Sequence, residues 1–303
     1  MRRFILITGP TGSGKSNLSV QLAKIMNTEI ISADSVQVYK GFDIGSGKVT
    51  EDEKEGILHH LIDVKEGDEP YSAADFYEEA VPIIDRLNRE GKIPIICGGT
   101  ALYIHGLIYD IQFGNKPSMD YRNKLNTLYE EEGLDYLVGM LEDKNPELAE
   151  KTDLLNPRRV MRALEKIESG HYEPDNLRKE REDVEWDYFI LNWERETLYD
   201  RINRRVLQMV EKGLFQEVED LYKRYGDVKP LQAIGYKEVV KYLKGEWDRE
   251  TAIEKIQQHS RNFAKRQLTW FRKEKDGIVL DMESMNVDDA IKTVLERVNY
   301  NDK

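Results

Sequence analysis

A single cysteine, Cys97, leaves the 303-residue chain without an intrachain disulfide, so a reducing, cytoplasmic home is expected. No Cys and His spacing resembles a zinc site. His59 and His60 are adjacent, so on a strand they point to opposite faces and cannot share a metal. No apolar run approaches the roughly 18 residues that a membrane span needs. Met1-Arg2-Arg3 ahead of Phe4-Ile5-Leu6-Ile7 imitates the start of a signal peptide, but the run stops at Gly9-Pro10 and no cleavage site follows. Internal repeats and low-complexity segments are missing too. Positive charge is in short supply, with 45 Lys and Arg against 57 Asp and Glu and a net charge of −12. The sum alone argues against a nucleic-acid partner. The distribution matters more than the sum: seven Lys and Arg lie between Lys255 and Lys275 against one acid, Glu274, and Arg158, Arg159 and Arg162 form a second cluster, and either cluster by itself reads equally well as a solvated helix face.

What the chain does have is an alternation of apolar runs and amphipathic stretches. Phe4–Thr8 predicts a buried strand, followed by a glycine-rich turn and a helix from about Lys15 to Met26. Glu29–Ser32 predicts a second strand ending at Asp34, and Leu58–Val64 is a third apolar run. Ser72–Arg89 predicts a helix, with Ala73, Phe76, Ala80, Ile83, Ile84 and Leu87 at steps of three and four. Ile93–Cys97 predicts another strand, ahead of Gly98-Gly99-Thr100 and a new helix. This order implies an α/β fold, a P-loop NTPase-like parallel sheet flanked by helices, with ligands at the carboxyl ends of the strands. Gly12, Asp34 and Thr100 each follow a strand and should converge on one crevice. From Gly114 the chain turns polar and helical, which places an all-helical insertion at 114–186 within a core of 1–113 and 187–303. Asp187–Trp193 is expected to rejoin the sheet. Long helices over Arg195–Tyr225 and Arg249–Arg272, a strand at Gly277–Leu280 and a terminal helix follow.

Gly9-Pro10-Thr11-Gly12-Ser13-Gly14-Lys15-Ser16 fits the phosphate-loop pattern G-x-x-x-x-G-K-[ST] between its strand and its helix. The glycines let backbone N–H groups curl around phosphate oxygens, and the helix N-terminus adds a favourable field. Lys15 reaches the terminal phosphate and the Ser16 hydroxyl is a Mg²⁺ ligand, so Mg²⁺ is the expected cofactor. Asp34 is placed to act as a general base on a hydroxyl or amine; the other readings are a carboxylate that holds Mg²⁺ through its bound water or a helix cap. No apolar strand ends in the Asp with which an ATPase holds Mg²⁺, and Leu61-Ile62-Asp63 is a weak substitute. A bound polyphosphate is expected, and ATP hydrolysis coupled to motion is not.

The motifs also fall in a particular order: Gly9–Ser16, Ser-Ala-Asp-Ser-Val-Gln-Val-Tyr at 32–39, Asp43-Ile44-Gly45 and His-His-Leu-Ile-Asp at 59–63. Tyr-Ser-Ala-Ala-Asp-Phe at 71–76 and Gly-Gly-Thr-Ala-Leu-Tyr at 98–103 come next. Pro-Arg-Arg-Val-Met-Arg-Ala-Leu-Glu at 157–165, Gln-Ala-Ile-Gly-Tyr-Lys-Glu at 232–238 and Ala-Lys-Arg-Gln-Leu-Thr-Trp-Phe-Arg at 264–272 complete the series. Over nearly its whole length the chain resembles the bacterial tRNA dimethylallyltransferases. It departs from that family at Asp153-Leu154-Leu155-Asn156, where His-Pro-Asn-Asp is common.

The resemblance implies transfer of a dimethylallyl group from dimethylallyl diphosphate to N6 of the adenosine just 3′ of a tRNA anticodon. It implies that Gly9, Pro10, Thr11, Gly12, Ser13, Gly14, Lys15 and Ser16 hold the diphosphate, that Asp34 takes the N6 proton, and that Thr100 donates to the bridging oxygen. Asp34, Ser35, Val36, Gln37 and Thr100 are expected at the flipped base, and Arg122, Arg158, Arg159 and Arg162 on the anticodon stem-loop, with Lys265-Arg266 a weaker RNA contact. The insertion is expected to grip the RNA, the protein to be a monomer, and no membrane to be involved.

Overall fold

Strand β1 (Arg2–Thr8) runs through the middle of a six-stranded sheet, and Phe4, Ile5, Leu6 and Ile7 are fully buried. A strand covered on both faces reads as a continuous apolar run rather than an alternation. The computed structural model describes residues 1–111, 119–170, 179–274 and 276–300. It divides into two compact units, Met1–Tyr109 with Glu180–Lys303, and Asp110–Lys179.

In the larger unit, β2 (Ile30–Ala33), β3 (His59–His60), β4 (Ile95–Gly98), β5 (Val184–Asn192) and β6 (Ile278–Asp281) join β1 in the order β3-β2-β4-β1-β5-β6. Every pairing is parallel. The parallel, helix-flanked sheet expected from the sequence is the one that forms. Ile5 and Ile7 enter a cluster with Leu18 and Leu22 of helix Lys15–Ile25 and Ala290 and Val294 of helix Val287–Arg297. Phe4 and Leu6 point the other way, as strand alternation requires, and helix Ala73–Arg89 also packs on β1. That helix begins with a capping box between Ser72 and Asp75, worth about 1 kcal/mol, and its Phe76 stacks on Tyr103 at 4.5 Å.

Three elements differ from expectation. β5 starts at Val184 rather than Asp187, because its pairing follows β1 back to Arg2↔Val184. The third apolar run supplies only a two-residue strand, since Leu61 and Asp63 adopt positive φ (60° and 56°) and turn the chain away. The 195–225 stretch forms two helices, Arg195–Glu211 and Leu214–Tyr225, divided at Gly213 with φ 102°. Helices Tyr236–Leu243 and Arg249–Phe271 pack in the same group.

The smaller unit consists of helices Met119–Glu132, Leu134–Lys144, Pro146–Lys151 and Pro157–Glu168. Leu125, Leu137, Leu141, Val160 and Leu164 form its buried core. The sequence pattern had placed its limits at 114–186, and part of both connections lies outside the described residues. No helix among the described residues is long and apolar enough to cross a membrane.

Candidate active site

The phosphate loop turns sharply between β1 and helix Lys15–Ile25, and Gly9, Gly12 and Gly14 all take positive φ (144°, 80° and 96°). At Gly9 a Cβ would also lie 2.7 Å from the Leu191 carbonyl, so only glycine fits there. Lys15 Nζ donates to the carbonyls of Gly9 (3.0 Å) and Pro10 (2.9 Å), which curls the side chain over the loop. Burial brings the Lys15 pKa down to about 8; Cys97 and Asp34 oppose that shift and Arg205 adds to it. An ammonium held this way gains most from a bound anion.

Three adjacent strands deliver the other predicted residues to the same place. The loop follows β1, Asp34 follows β2 and Thr100 follows β4, and all line one cavity of about 410 Å³. Lys15, Ser16, Ser35, Val36, Gln37, Gly98 and Gly99 line it as well. Asp34 Oδ1 accepts from the N–H groups of Val36 (2.9 Å) and Gln37 (3.2 Å), the role of a turn cap. Asp34 Oδ2 has no hydrogen-bond partner among the described residues, and it remains available as a base. Cap and base are therefore compatible in one carboxylate. Thr100 Oγ1 accepts from Ser35 N–H at 3.1 Å, which leaves its own O–H to donate. Gln37 is oriented by Ser32, whose hydroxyl donates to its Oε1 at 3.1 Å. The strands on either side of β1 end at Gly98 and Asn192, and neither offers the carboxylate of an ATPase.

Several residues that hold this site were not singled out in the sequence. Gln267, buried on helix Arg249–Phe271, accepts from Thr11 N–H (2.9 Å) and donates to Gly99 carbonyl (3.2 Å). It ties the phosphate loop to the Gly-Gly-Thr element. Its neighbours Lys265 and Arg266 are exposed, and Arg266 also lines the cavity. Trp193 Nε1 donates to Ser13 carbonyl (2.9 Å), Arg201 Nε to Gly12 carbonyl (3.0 Å), and the Arg201 guanidinium lies 4.3 Å over the Trp193 ring. Arg205 Nη1 donates to Thr11 Oγ1 at 3.2 Å. No carboxylate lies within 4.0 Å of Arg205 among the described residues, and burial depresses its pKa. A partly buried cation with no carboxylate beside it marks a place for an anion. Gln267 was visible only as the fourth letter of a basic motif, and Arg205 as one of many arginines on a polar helix.

In the helical unit the four predicted arginines differ. Arg122 grips both oxygens of the buried Glu165 (2.6 and 3.0 Å), and Arg162 reaches one of them at 3.1 Å. Burial alone would raise the Glu165 carboxyl, but hydrogen bonds and charge from Arg122 and Arg162 hold it below the usual range. Both arginine side chains stay about half exposed, at 45% and 48%. Arg159 pairs with Asp153 at 3.4 Å, whereas Arg158 has no ion pair among the described residues. Asn156 caps the helix by accepting from Arg158 and Arg159 N–H groups.

Fold and site define a phosphate-loop α/β protein whose anion cradle opens on a cavity lined by a carboxylate with one unpartnered oxygen, the layout of a group transferase rather than of an ATPase. The IPP transferase family model matches residues 37–274, which begins beyond the phosphate loop. Relatives named tRNA dimethylallyltransferase include those of Exiguobacterium sp., 44% identical over 97% of this chain and 95% of that protein, and of Macrococcus caseolyticus, 43% identical over 99% and 97%. A crystal structure of the full-length tRNA isopentenylpyrophosphate transferase from Bacillus halodurans is similar at 40% identity and a TM-score of 0.75, covering 99% of this chain and 96% of that one. A eukaryotic dimethylallyltransferase solved acting on tRNA matches at 29% identity and a TM-score of 0.85, covering 100% of this chain and 81% of that one. The chain belongs to the IPP transferase family, that of the tRNA dimethylallyltransferases.

Proposed function

We propose that the chain transfers the dimethylallyl group of dimethylallyl diphosphate to N6 of the adenosine 3′ to the anticodon in tRNA, giving N6-(dimethylallyl)adenosine. The observation that carries this reading is the convergence of the phosphate loop, Asp34 and Thr100 on one cavity. The N6 lone pair forms a bond to the first carbon of the isoprenoid as the carbon–oxygen bond breaks. The bonding pair leaves with the diphosphate, and Asp34 Oδ2 takes the N6 proton. Charge growing on the diphosphate is met by loop N–H groups, Lys15 and Arg205. The Thr100 O–H, oriented by Ser35, donates to the bridging oxygen.

Mg²⁺ fits this donor set. The Ser16 hydroxyl heads the helix and lines the cavity beside Lys15. No cluster of three or more His, Cys, Asp or Glu is built for a metal among the described residues. The remaining ligands would be phosphate oxygens and water, an arrangement Mg²⁺ favours. When bound there it adds positive charge at the leaving group.

The base is stacked in the anticodon loop and must be turned out, at a few kcal/mol, to meet Asp34 to Gln37. Arg122, Arg158, Arg159 and Arg162 would hold phosphates of the anticodon stem-loop, with Lys265 and Arg266 as further contacts. The protein would work as a monomer in the cytoplasm.

The test is incubation of unmodified tRNA with labelled dimethylallyl diphosphate and Mg²⁺, without ATP. Label is expected in the tRNA. Asp34→Asn keeps the Oδ1 acceptor of the turn and should cut turnover by about 10²–10⁴-fold while tRNA still binds. Transfer only of the terminal phosphate of ATP would identify a kinase instead.

A further inference from the structure

Asp43 to Lys48 form an irregular segment that borders the cavity, and side chains from distant helices fix its shape. Glu217, on helix Leu214–Tyr225, supplies the main anchor. Its Oε2 accepts from the N–H groups of Asp43 (3.2 Å) and Ile44 (2.7 Å), and its Oε1 from Gly45 N–H (3.0 Å). The Tyr236 hydroxyl donates to Glu217 Oε1 (2.9 Å) and accepts from Ser46 N–H (3.0 Å). Four successive backbone N–H groups are thus satisfied by two side chains. Successive N–H groups converging on one point make a concavity that binds anions. Here the chain's own carboxylate fills it.

The segment has no slack. Gly45 lies on the fully buried Tyr236 ring, where a Cβ would come within 2.5 Å of Cζ. The Lys48 ammonium donates to Tyr39 carbonyl (2.9 Å), Asp43 (2.6 Å) and Asp63 (2.5 Å). Between these anchors Gly47, with φ 62°, lies against the Arg205 guanidinium, where a Cβ would fall 1.7 Å from Nη2. Arg205 is therefore confined between Gly47 on one side and Thr11 Oγ1 at 3.2 Å on the other.

We propose that Glu217 is a positioning residue for the diphosphate of the isoprenoid donor. By locking residues 43–46 it keeps Gly47 as the wall that holds Arg205 toward the phosphate loop. This rests on the phosphate loop being the donor's diphosphate site. Glu217 itself faces backbone N–H groups and Tyr236, so it acts through Arg205 rather than on substrate.

The test compares the full-length chain with Glu217→Ala and Tyr236→Phe. Steady-state kinetics would be measured with each substrate varied, alongside calorimetric titration of inorganic pyrophosphate with Mg²⁺. Glu217→Ala should raise the KM for dimethylallyl diphosphate and weaken pyrophosphate binding by about tenfold, the equivalent of one charge-assisted contact. The KM for tRNA should stay unchanged. Tyr236→Phe keeps the ring and loses only the hydroxyl, so the same change should appear at smaller size; it carries the test if Glu217→Ala does not fold. Unchanged pyrophosphate affinity in a folded variant, or an equal rise in both KM values, overturns the positioning role alone. A parent chain that transfers no label overturns the functional reading and this inference with it.

Discussion

Lys15 stands between opposing demands. Burial and the Arg205 charge favour loss of its proton, while binding a diphosphate needs the ammonium. Its pKa of about 8 lies below the ordinary lysine value of 10.5, so the charged form is the one that burial penalises. A bound diphosphate must then raise that pKa, because an adjacent negative charge favours the ammonium. The expected consequence is a fall in kcat/KM for the donor as pH rises through about 8, with the fall in kcat displaced to higher pH. A pH profile in which kcat/KM stays flat to about pH 9.5 would remove Lys15 from donor binding. The residues of the loop, Asp34 and Thr100 were all legible in the sequence, because each lies within a short motif directly after a strand. Arg205 was not, because nothing local distinguishes it from Arg201 or Arg204; only its contact with Thr11 and Gly47 does.

At the scale of elements, helix Arg249–Phe271 does more than present a basic face. Its Gln267 closes a bridge between two strand-end loops, Thr11 after β1 and Gly99 after β4. Gln267→Ala would leave a backbone donor and a backbone acceptor without partners, a cost of about 1–3 kcal/mol. A lower thermal midpoint together with a raised KM for the donor is the expected outcome, read by a melting curve and steady-state kinetics. A variant unchanged in both would show that the bridge holds nothing. Element types were well marked in the sequence, since the central strands are apolar runs and the helices carry steps of three and four. Element ends were less so. The break at Gly213 turns on one left-handed glycine within a helical pattern, and the shortness of β3 on two positive-φ residues, Leu61 and Asp63, that neither composition nor periodicity marks.

For the whole molecule, the proposed work on tRNA requires a chain of net charge −12 to keep its cations where phosphates would meet them. In the helical unit, Glu165 holds Arg122 and Arg162 in place while leaving about half of each side chain exposed, and Arg158 has no ion pair among the described residues. If these groups meet phosphates, Arg158→Gln should reduce the slope of log Kd for tRNA against log salt by about one, with little loss of stability. An unchanged slope would take Arg158 out of the RNA contact. By itself the sequence determined the parallel sheet, the phosphate loop, the strand-end Asp34 and Thr100, and the helical character of the inserted stretch. Each is written in neighbouring residues, through apolar period, turn chemistry or a contiguous motif. The tertiary structure alone decided that Glu217 and Tyr236 lock residues 43–46, that Gln267 joins two loops, that Arg205 faces the cradle, and that Glu165 pairs two of the predicted RNA arginines. Most of these contacts span well over a hundred residues of chain, and even the shorter Arg122–Glu165 pair joins two separate helices. A side chain's partner at such distance is set by how helices pack on the sheet and on one another, and no local pattern carries that information.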